Sequence, residues 1–389
     1  MISILMCTYN RAYCVEHSIN SVLNQTYEDF EFIIVDDGST DATEELIRTY
    51  TDSRIKYIKM ERNSYYCHAA NCGLAHCNGD YVAFMNSDDE WLPDKLQKQV
   101  EFMEKNTEYG ACFTAVALID KEGRDITDEC RKMAIVFDAR YRSQKEYLQA
   151  FLYRGNTLCH PSAFIRKSIL DKTGGFNLMY CQLADLDLWI RIVTLAPIHV
   201  LDERLTCFRW DITKNDQISN GTRDTAIRTF NEQMMIRRDL IERLSDEQFI
   251  EIFGDKFKNK DSRSHLEIEF EKAFLLSECV GEIPELKILG IHKLEQVLRM
   301  PGAVDTLNSH FGMRIHEVYE WTKAHMYYNP WLIGEYDEKI HKLNVEKAKL
   351  IIKQDQEIRQ LRAEYENSNS WKITAPLRKV IKKRQKGEK

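Results

Sequence analysis

At 389 residues, with 43% apolar and 30% charged side chains, the chain is long enough for one large domain and a further unit, and its composition is that of a soluble globular protein. A net charge of −7 argues against general nucleic-acid binding; the absence of any run of about 18 apolar residues and of a charged leader with a cleavage site in "MISILMCTYN" predicts a cytoplasmic chain that neither spans a membrane nor carries a secretion signal. The eleven cysteines are odd in number, scattered and free of CxxC pairs, which predicts reduced thiols, and the densest group (Cys67, Cys72 and Cys77, with His68 and His76) has the wrong spacing for zinc and reads as packing residues on a helix.

Residues 2–6 read as a first strand, followed by the loop "CTYNRAY" and a helix carrying Val15, Ile19 and Val22 on one face. "FEFIIVDDGSTDATEELIRTY" repeats the pattern: a β-branched run, an acidic turn with a glycine, then a helix whose start is marked by Ser39, Thr40 and Asp41. The strand "RIKYIKM", the helical "AANCGLAHC", the strand "YVAFM", an acidic loop and the helix "LPDKLQKQVEFMEK" come next. Strands alternating with helices predict an α/β fold, a mostly parallel sheet covered on both faces. Such sheets take ligands at the C-terminal ends of their strands, so the loops Cys7–Asn10, Asp36–Ser39 and Asn86–Glu90 are expected to open on one crevice. After "ACFTAVALI" the pattern loses regularity up to about residue 210, and from roughly 223 to 366 strand signals almost vanish. "YDEKIHKLNVEKAKLIIKQDQEIRQLRAEYE" reads as a long charged helix with Ile351, Ile358, Leu361 and Tyr365 near a heptad seam, a candidate homodimer contact that Lys347 and Gln354 interrupt.

The acidic loop "NSDDEW" sets Asn86, Ser87, Asp88, Asp89 and Glu90 side by side, and adjacent carboxylates repel unless something shares them. Mn2+ or Mg2+ takes oxygen ligands, typically one or two carboxylates together with substrate phosphate oxygens, which makes Asp88, with Asn86 or Asp89, a candidate cation site. The same residues also read as an acidic helix start favoured by the helix dipole. No GxxxxGK[ST] and no GxGxxG follows a strand, so a nucleotide would be held by other means, such as carboxylates of "VDDGST" accepting from a base N–H or a ribose hydroxyl.

Taken together, "ILMCTYNRAYCVEHSINSVLNQTYEDFEFIIVDDGSTDATEELI", "NCGLAHCNGDYVAFMNSDDEW" and "DLDLWIRI" resemble, in order and spacing over about residues 1–215, the family 2 glycosyltransferases of the GT-A fold. The resemblance implies a nucleotide-sugar donor lying against Cys7 and Tyr9, with Asp36 and Asp37 on its base and ribose and Asn86 and Ser87 beside it. It places Asp88 in the metal-binding position of the family's DxD, next to Asp89, and Asp185 on the catalytic base of an inverting transfer. Arg209 falls where the diphosphate is often bordered, and His160, Trp91 and Asp187 are candidates near the acceptor; for His160 a structural role, for Trp91 packing beneath the loop, and for the Asp residues of "LADLDLWIRI" a solvated helix face are the alternatives. Asn86 stands in place of the first DxD Asp, Ala184 in place of a Glu, Ala70 in place of an Arg, and Cys7 in place of a Pro or Thr.

The last twelve residues, "RKVIKKRQKGEK", hold seven Lys or Arg against one Glu, leaving −13 on the rest of the chain. With Trp371, Ile373, Leu377, Val380 and Ile381 this tail resembles those of bacterial surface-polysaccharide glycosyltransferases and suits an anionic membrane surface on the inner face of the cell membrane; a solvated tail or a partner-docking helix would read alike. The expected organisation is a glycosyltransferase domain over 1–215, a helical region over 216–334, the charged helix over 335–366 and the basic tail over 367–389. The expected function is transfer of a sugar to a glycan or lipid-linked acceptor in cell-envelope polysaccharide synthesis. The alternatives are a weakly catalytic scaffold in a synthase complex and a nucleotidyltransferase, the latter disfavoured by the missing phosphate loop.

Overall fold

A computed structural model describes residues 1–137, 141–210, 222–277, 284–324, 330–367 and 374. The basic tail therefore lies, apart from Thr374, outside the described residues. The chain divides into two units, Met1–His325 and Met326–Lys389. The second contains one long helix, Pro330–Asn367, on which Leu350, Ile351, Ile358 and Leu361 are exposed. Among the described residues no helix is long and apolar enough to cross a membrane.

The first unit is built on an eight-stranded sheet: β1 (Ile2–Thr8), β2 (Phe30–Asp36), β3 (Ile55–Lys59), β4 (Tyr81–Asn86), β5 (Glu90–Trp91), β6 (Ala111–Ile119), β7 (Phe164–Arg166) and β8 (Ile198–Arg209), in the order β3-β2-β1-β4-β7-β6-β8-β5. β1, β2 and β4 are buried almost throughout, as apolar strands sandwiched between helical layers must be. Successive side chains feed opposite cores. Leu5, Ile33, Val35 and Phe84 pack with Trp189 and the helices beyond it. Ile4, Met6, Phe32 and Met85 pack with Val15, Ile19 and Val22 on one helix and Leu96, Val100 and Met103 on another. Each fully buried side chain of this kind contributes about 1.5–3 kcal/mol.

Strand direction explains what meets at the edge. β1 pairs in parallel with β2 and β4, setting Thr8 against Asp36 and Cys7 against Asn86. β7 is antiparallel to both β4 and β6, so the short turn His160–Ser162 that leads into it arrives beside the end of β4. β6 and β8 run parallel, and their ends pair as Ile119 with Arg209. The sheet is thus mixed, yet the C-terminal ends of β1, β2, β4 and β8 share one edge.

The helical region is not an appendage to this sheet. Ile236, Leu240, Ile241 and Leu244 of the helix Arg223–Arg243, and Phe249 and Phe253 of the helix Asp246–Phe253, belong to the same core as Phe113, Phe151 and Trp189. Arg237 is buried and donates from Nε to the Leu152 carbonyl at 2.9 Å. A smaller core around Phe270, Phe274, Val297 and Leu307 closes the unit.

One glycine sets the turn that follows β2. Gly38, after β2, has φ +76°, and a Cβ there would lie 2.6 Å from the Arg62 carbonyl carbon. Only glycine suits both the conformation and that close approach. Gly38→Ala is expected to cost about 2–4 kcal/mol of stability in urea unfolding.

Candidate active site

A cavity of about 870 Å³ opens at this edge, bounded by the ends of β1, β2, β4 and β8 and by the first turns of the helices Ala184–Leu195 and Arg223–Arg243. Of the residues singled out from sequence, Cys7, Tyr9, Asp37, Asn86, Ser87, Asp88, His160, Asp185 and Arg209 line it. Asp36, Asp89, Trp91 and Asp187 do not, and each has a local reason. Asp36 is fully buried, accepting from Ser39 N–H and from the Tyr57 hydroxyl, both at 2.7 Å. Trp91 is buried, donating its indole N–H to the Pro161 carbonyl at 2.8 Å beneath the acidic loop, with the Lys95 ammonium 3.8 Å from its ring centroid. Asp187 is buried and paired with Arg191 on its own helix at 2.7 Å.

Asp89 turns inward and ties two strands together. Oδ1 accepts from Arg209 N–H at 2.6 Å and Oδ2 from the Asn86 amide at 2.8 Å. The Arg209 guanidinium donates to the Asp88 carbonyl at 2.7 Å, to the Asp120 carbonyl, and to Glu90. Arg209 therefore shapes the acidic loop as much as it faces the cavity. Burial, reinforced by the neighbouring Asp88 charge, pushes the Asp89 carboxyl up, against the pull of Arg209 and Asn86.

Because the Asn86 NH2 faces Asp89, its carbonyl oxygen faces His160, whose Nδ1 lies 3.1 Å away. Nδ1 then carries the proton and Nε2 accepts from the Tyr66 hydroxyl at 2.7 Å. His160 is stacked on Phe84 at 5.0 Å, and burial lowers its pKa to about 3, so it stays neutral and holds a fixed tautomer. Tyr66, not singled out from sequence, lines the cavity at the end of this chain. The carboxamide of Asn86 is thus committed on both sides.

Asp88 is the acidic-loop carboxylate that lines the cavity, with Arg11 Nε 3.7 Å from its Oδ2. Burial raises its pKa, while the Arg11 and Arg209 charges oppose the rise. One cavity-facing carboxylate fits Mn2+ or Mg2+, which take one or two such ligands and complete their shell with phosphate and water oxygens. Elsewhere, Asp246, His265 and Glu269 bring three ligand atoms together, but the ammonium groups of Lys272 and Lys293 already pair with Glu269 and take the place of a cation.

Asp185 sits in the first turn of the helix Ala184–Leu195. Oδ2 accepts from the Asn156 amide at 2.6 Å and Oδ1 from Leu186 N–H at 2.8 Å. Burial raises its pKa to about 6 despite these bonds. The loop leading into this helix is held by Glu232, a buried carboxylate of the helix Arg223–Arg243 that accepts from the backbone N–H groups of Cys181, Gln182 and Leu183, each at 2.8 Å. Sequence reasoning missed Glu232 because its partners lie about fifty residues away. Nothing local marks it out, since the same helix also carries Asp224, Asp239 and Glu242. Asn86→Asp, tested in metal-free buffer, places a carboxylate against Asp89 and is expected to cost about 1–3 kcal/mol at pH 8. The loss should shrink as pH falls and one of the pair takes a proton, which urea unfolding at pH 8 and pH 5 would measure.

The sequence model "Glycosyl transferase family 2" matches residues 3–174. An uncharacterized glycosyltransferase of Methanocaldococcus jannaschii, MJ1057, is 32% identical over 214 residues, 54% of this chain and 70% of that protein. The putative teichuronic acid biosynthesis glycosyltransferase TuaG of Bacillus subtilis is 40% identical over 126 residues, 32% of this chain and 49% of its own length. The Escherichia coli protein WfgD, a UDP-Glc:alpha-D-GlcNAc-diphosphoundecaprenol beta-1,3-glucosyltransferase, is 39% identical over 106 residues, 27% of this chain and 42% of its own. The crystal structure of S. aureus TarS 1–349 in complex with UDP-GlcNAc has a TM-score of 0.52 at 18% identity, covering 82% of this chain and 88% of that one, a likeness of fold. With the mixed sheet, the strand-end cavity and these matches together, the chain belongs to glycosyl transferase family 2 and has the GT-A fold.

Proposed function

We propose that this chain is an inverting glycosyltransferase that moves a sugar from a nucleoside-diphosphate sugar to a hydroxyl of a glycan or lipid-linked acceptor, in the synthesis of a cell-envelope polysaccharide. The observation that carries the reading is that Asp88 and Asp185 line one cavity in environments that suit different roles. Asp185, with a pKa raised to about 6, is ionised at neutral pH yet basic enough to take a proton. Asp88 lies beside Arg11, whose charge opposes the rise that burial imposes on its carboxyl. The names of TuaG and WfgD, which refer to teichuronic acid and to a lipid-diphosphate acceptor, support the polysaccharide setting and the acceptor class.

In the proposed step an acceptor hydroxyl gives its proton to Asp185 as its oxygen forms a bond to the anomeric carbon from the face opposite the leaving group. The bond from that carbon to the diphosphate oxygen breaks, and the electron pair leaves with the nucleoside diphosphate. Asn156 and the Leu186 amide hold the Asp185 carboxylate in place, and Glu232 fixes the loop before it. Arg11, on the Asp88 side of the cavity, offers charge to the departing phosphates. A divalent cation bound at Asp88, Mn2+ or Mg2+, would neutralise part of the diphosphate charge. Cys7, Tyr9, Asp37, Asn86 and Ser87 form the donor side. The basic tail, on its composition, is proposed to hold the protein against an anionic membrane surface where lipid-linked acceptors reside.

A second reading, a scaffold for a synthase complex, draws on the exposed Leu350, Ile358 and Leu361 of the long helix. Calorimetric titration with a panel of nucleoside diphosphates, with and without Mn2+, separates the two. Metal-dependent binding of one nucleotide, lost in Asp88→Ala, is expected; binding of none would move the assignment to the scaffold. Asp185→Asn should keep that binding and lower transfer by about 10²–10⁴-fold. Since the base works deprotonated, transfer by the wild type should fall as pH drops through about 6, and a pH–rate profile flat across that range would remove Asp185 as base.

A further inference from the structure

Tyr65 holds a backbone conformation that side chains ordinarily avoid. Its φ of 66° and ψ of 161° lie in a region occupied essentially by glycine. The strain is imposed from both sides. Asp37 accepts from Ser64 N–H at 2.8 Å and Asn63 Oδ1 from Tyr65 N–H at 3.0 Å, while the Tyr65 carbonyl accepts from the N–H groups of His68 and Ala69 in the first turn of the helix Tyr66–Leu74. A buried ring could offset such strain by packing. This one is 65% exposed and lies on the rim of the cavity. A glycine would relieve the backbone at little cost in packing, so the ring is kept for something that enters the cavity.

The surroundings indicate what that is. Tyr9, 39% exposed, is a second aromatic ring on the cavity, and Asp37 and Asn63 line it as well. Aromatic rings that line one cavity together with carboxylate and amide groups suit a flat heterocycle, whose π-face stacks on a ring while its edge and the attached ribose offer hydrogen-bonding groups. We infer that Tyr65 is a stacking platform for the nucleobase of the donor, held over the cavity by the strained turn. The inference rests on the proposed use of a nucleotide sugar and adds to it a specific contact and its geometric origin.

The test uses the full chain and the nucleotide that the wild type binds from the panel of nucleoside diphosphates, together with the corresponding monophosphate. Tyr65→Ala removes the ring and keeps the strain, Tyr65→Gly removes both, and Tyr65→Phe keeps the ring. Both Ala and Gly variants are expected to weaken the diphosphate and the monophosphate about tenfold and by the same factor, since the contact is to the base; Phe should stay within about twofold. The Gly variant should also melt about 1–3 °C higher than the Ala variant, which reports the strain independently of ligand. Affinity unchanged in the Ala and Gly variants, with the wild type binding normally, would overturn the platform and leave the transfer reading standing. A loss confined to the diphosphate would overturn it too, because the ring would then act near the phosphates. Binding of no nucleotide by the wild type would overturn the transfer reading and the platform together.

Discussion

The carboxylate of Asp89 is the tie on which the site depends. By accepting from Asn86 at the end of β4 and from Arg209 at the end of β8, it joins two strands that are not neighbours in the sheet. A buried carboxylate is costly unless its oxygens are satisfied, and here both are. Its two hydrogen bonds anchor the acidic run to both strands, although the neighbouring Asp88 charge still raises its pKa. Asp88 is then the loop's carboxylate on the cavity, and Asn86 is locked into an orientation that fixes the His160 tautomer and, through it, the Tyr66 hydroxyl. An Asp at position 86 would face a like charge across 2.8 Å, so the departure from the family pattern is consistent with the structure around it.

Asp88 and Asp185, which both line the cavity, have different surroundings. Asp88 shares its environment with Arg11 and Arg209, whereas Asp185 has neutral donors only, Asn156 and the Leu186 amide. Neutral donors stabilise a carboxylate less than a guanidinium does; burial raises both carboxyls, opposed at Asp88 by the charges of Arg11 and Arg209 and at Asp185 by hydrogen bonds from neutral groups. An Arg beside Asp185 would have lowered its pKa, making it less suited to the proposed role of base.

Much of this could be read from the residues. β-Branched runs interrupted by polar turns revealed β1, β2, β3 and β4, and their parallel order placed three loops on one crevice, where the structure has them. β8 was hidden because Asp202, Glu203 and Arg204 break its apolar pattern where the strand bulges against β6, and β7 because three residues carry too little pattern. Within the site, residue type was legible and orientation was not. Asp36, Asp89, Trp91 and Asp187 have the chemistry of site residues, yet hydrogen bonds to partners at the loop base or on their own helix draw them under the surface. Tyr66 and Glu232 went unnoticed for the converse reason: nothing in their local sequence announces a contact ninety-four or about fifty residues away.

Glu232 has a consequence for how such a protein can be divided. The family's sequence model ends at residue 174, before Asp185, and the carboxylate that secures the start of the Asp185 helix comes later still, from the helical region. The sheet half is therefore not a transferable cassette. Grafted onto a different helical body, residues 1–215 would arrive with the three backbone amides before the Asp185 helix lacking their acceptor and with the core around Trp189 open where Ile236, Leu240 and Phe249 now fill it. Divergence of the helices and of this wall of the cavity is on this account a single process, in which any drift of one helix axis is transmitted directly to the position of Asp185, the proposed base.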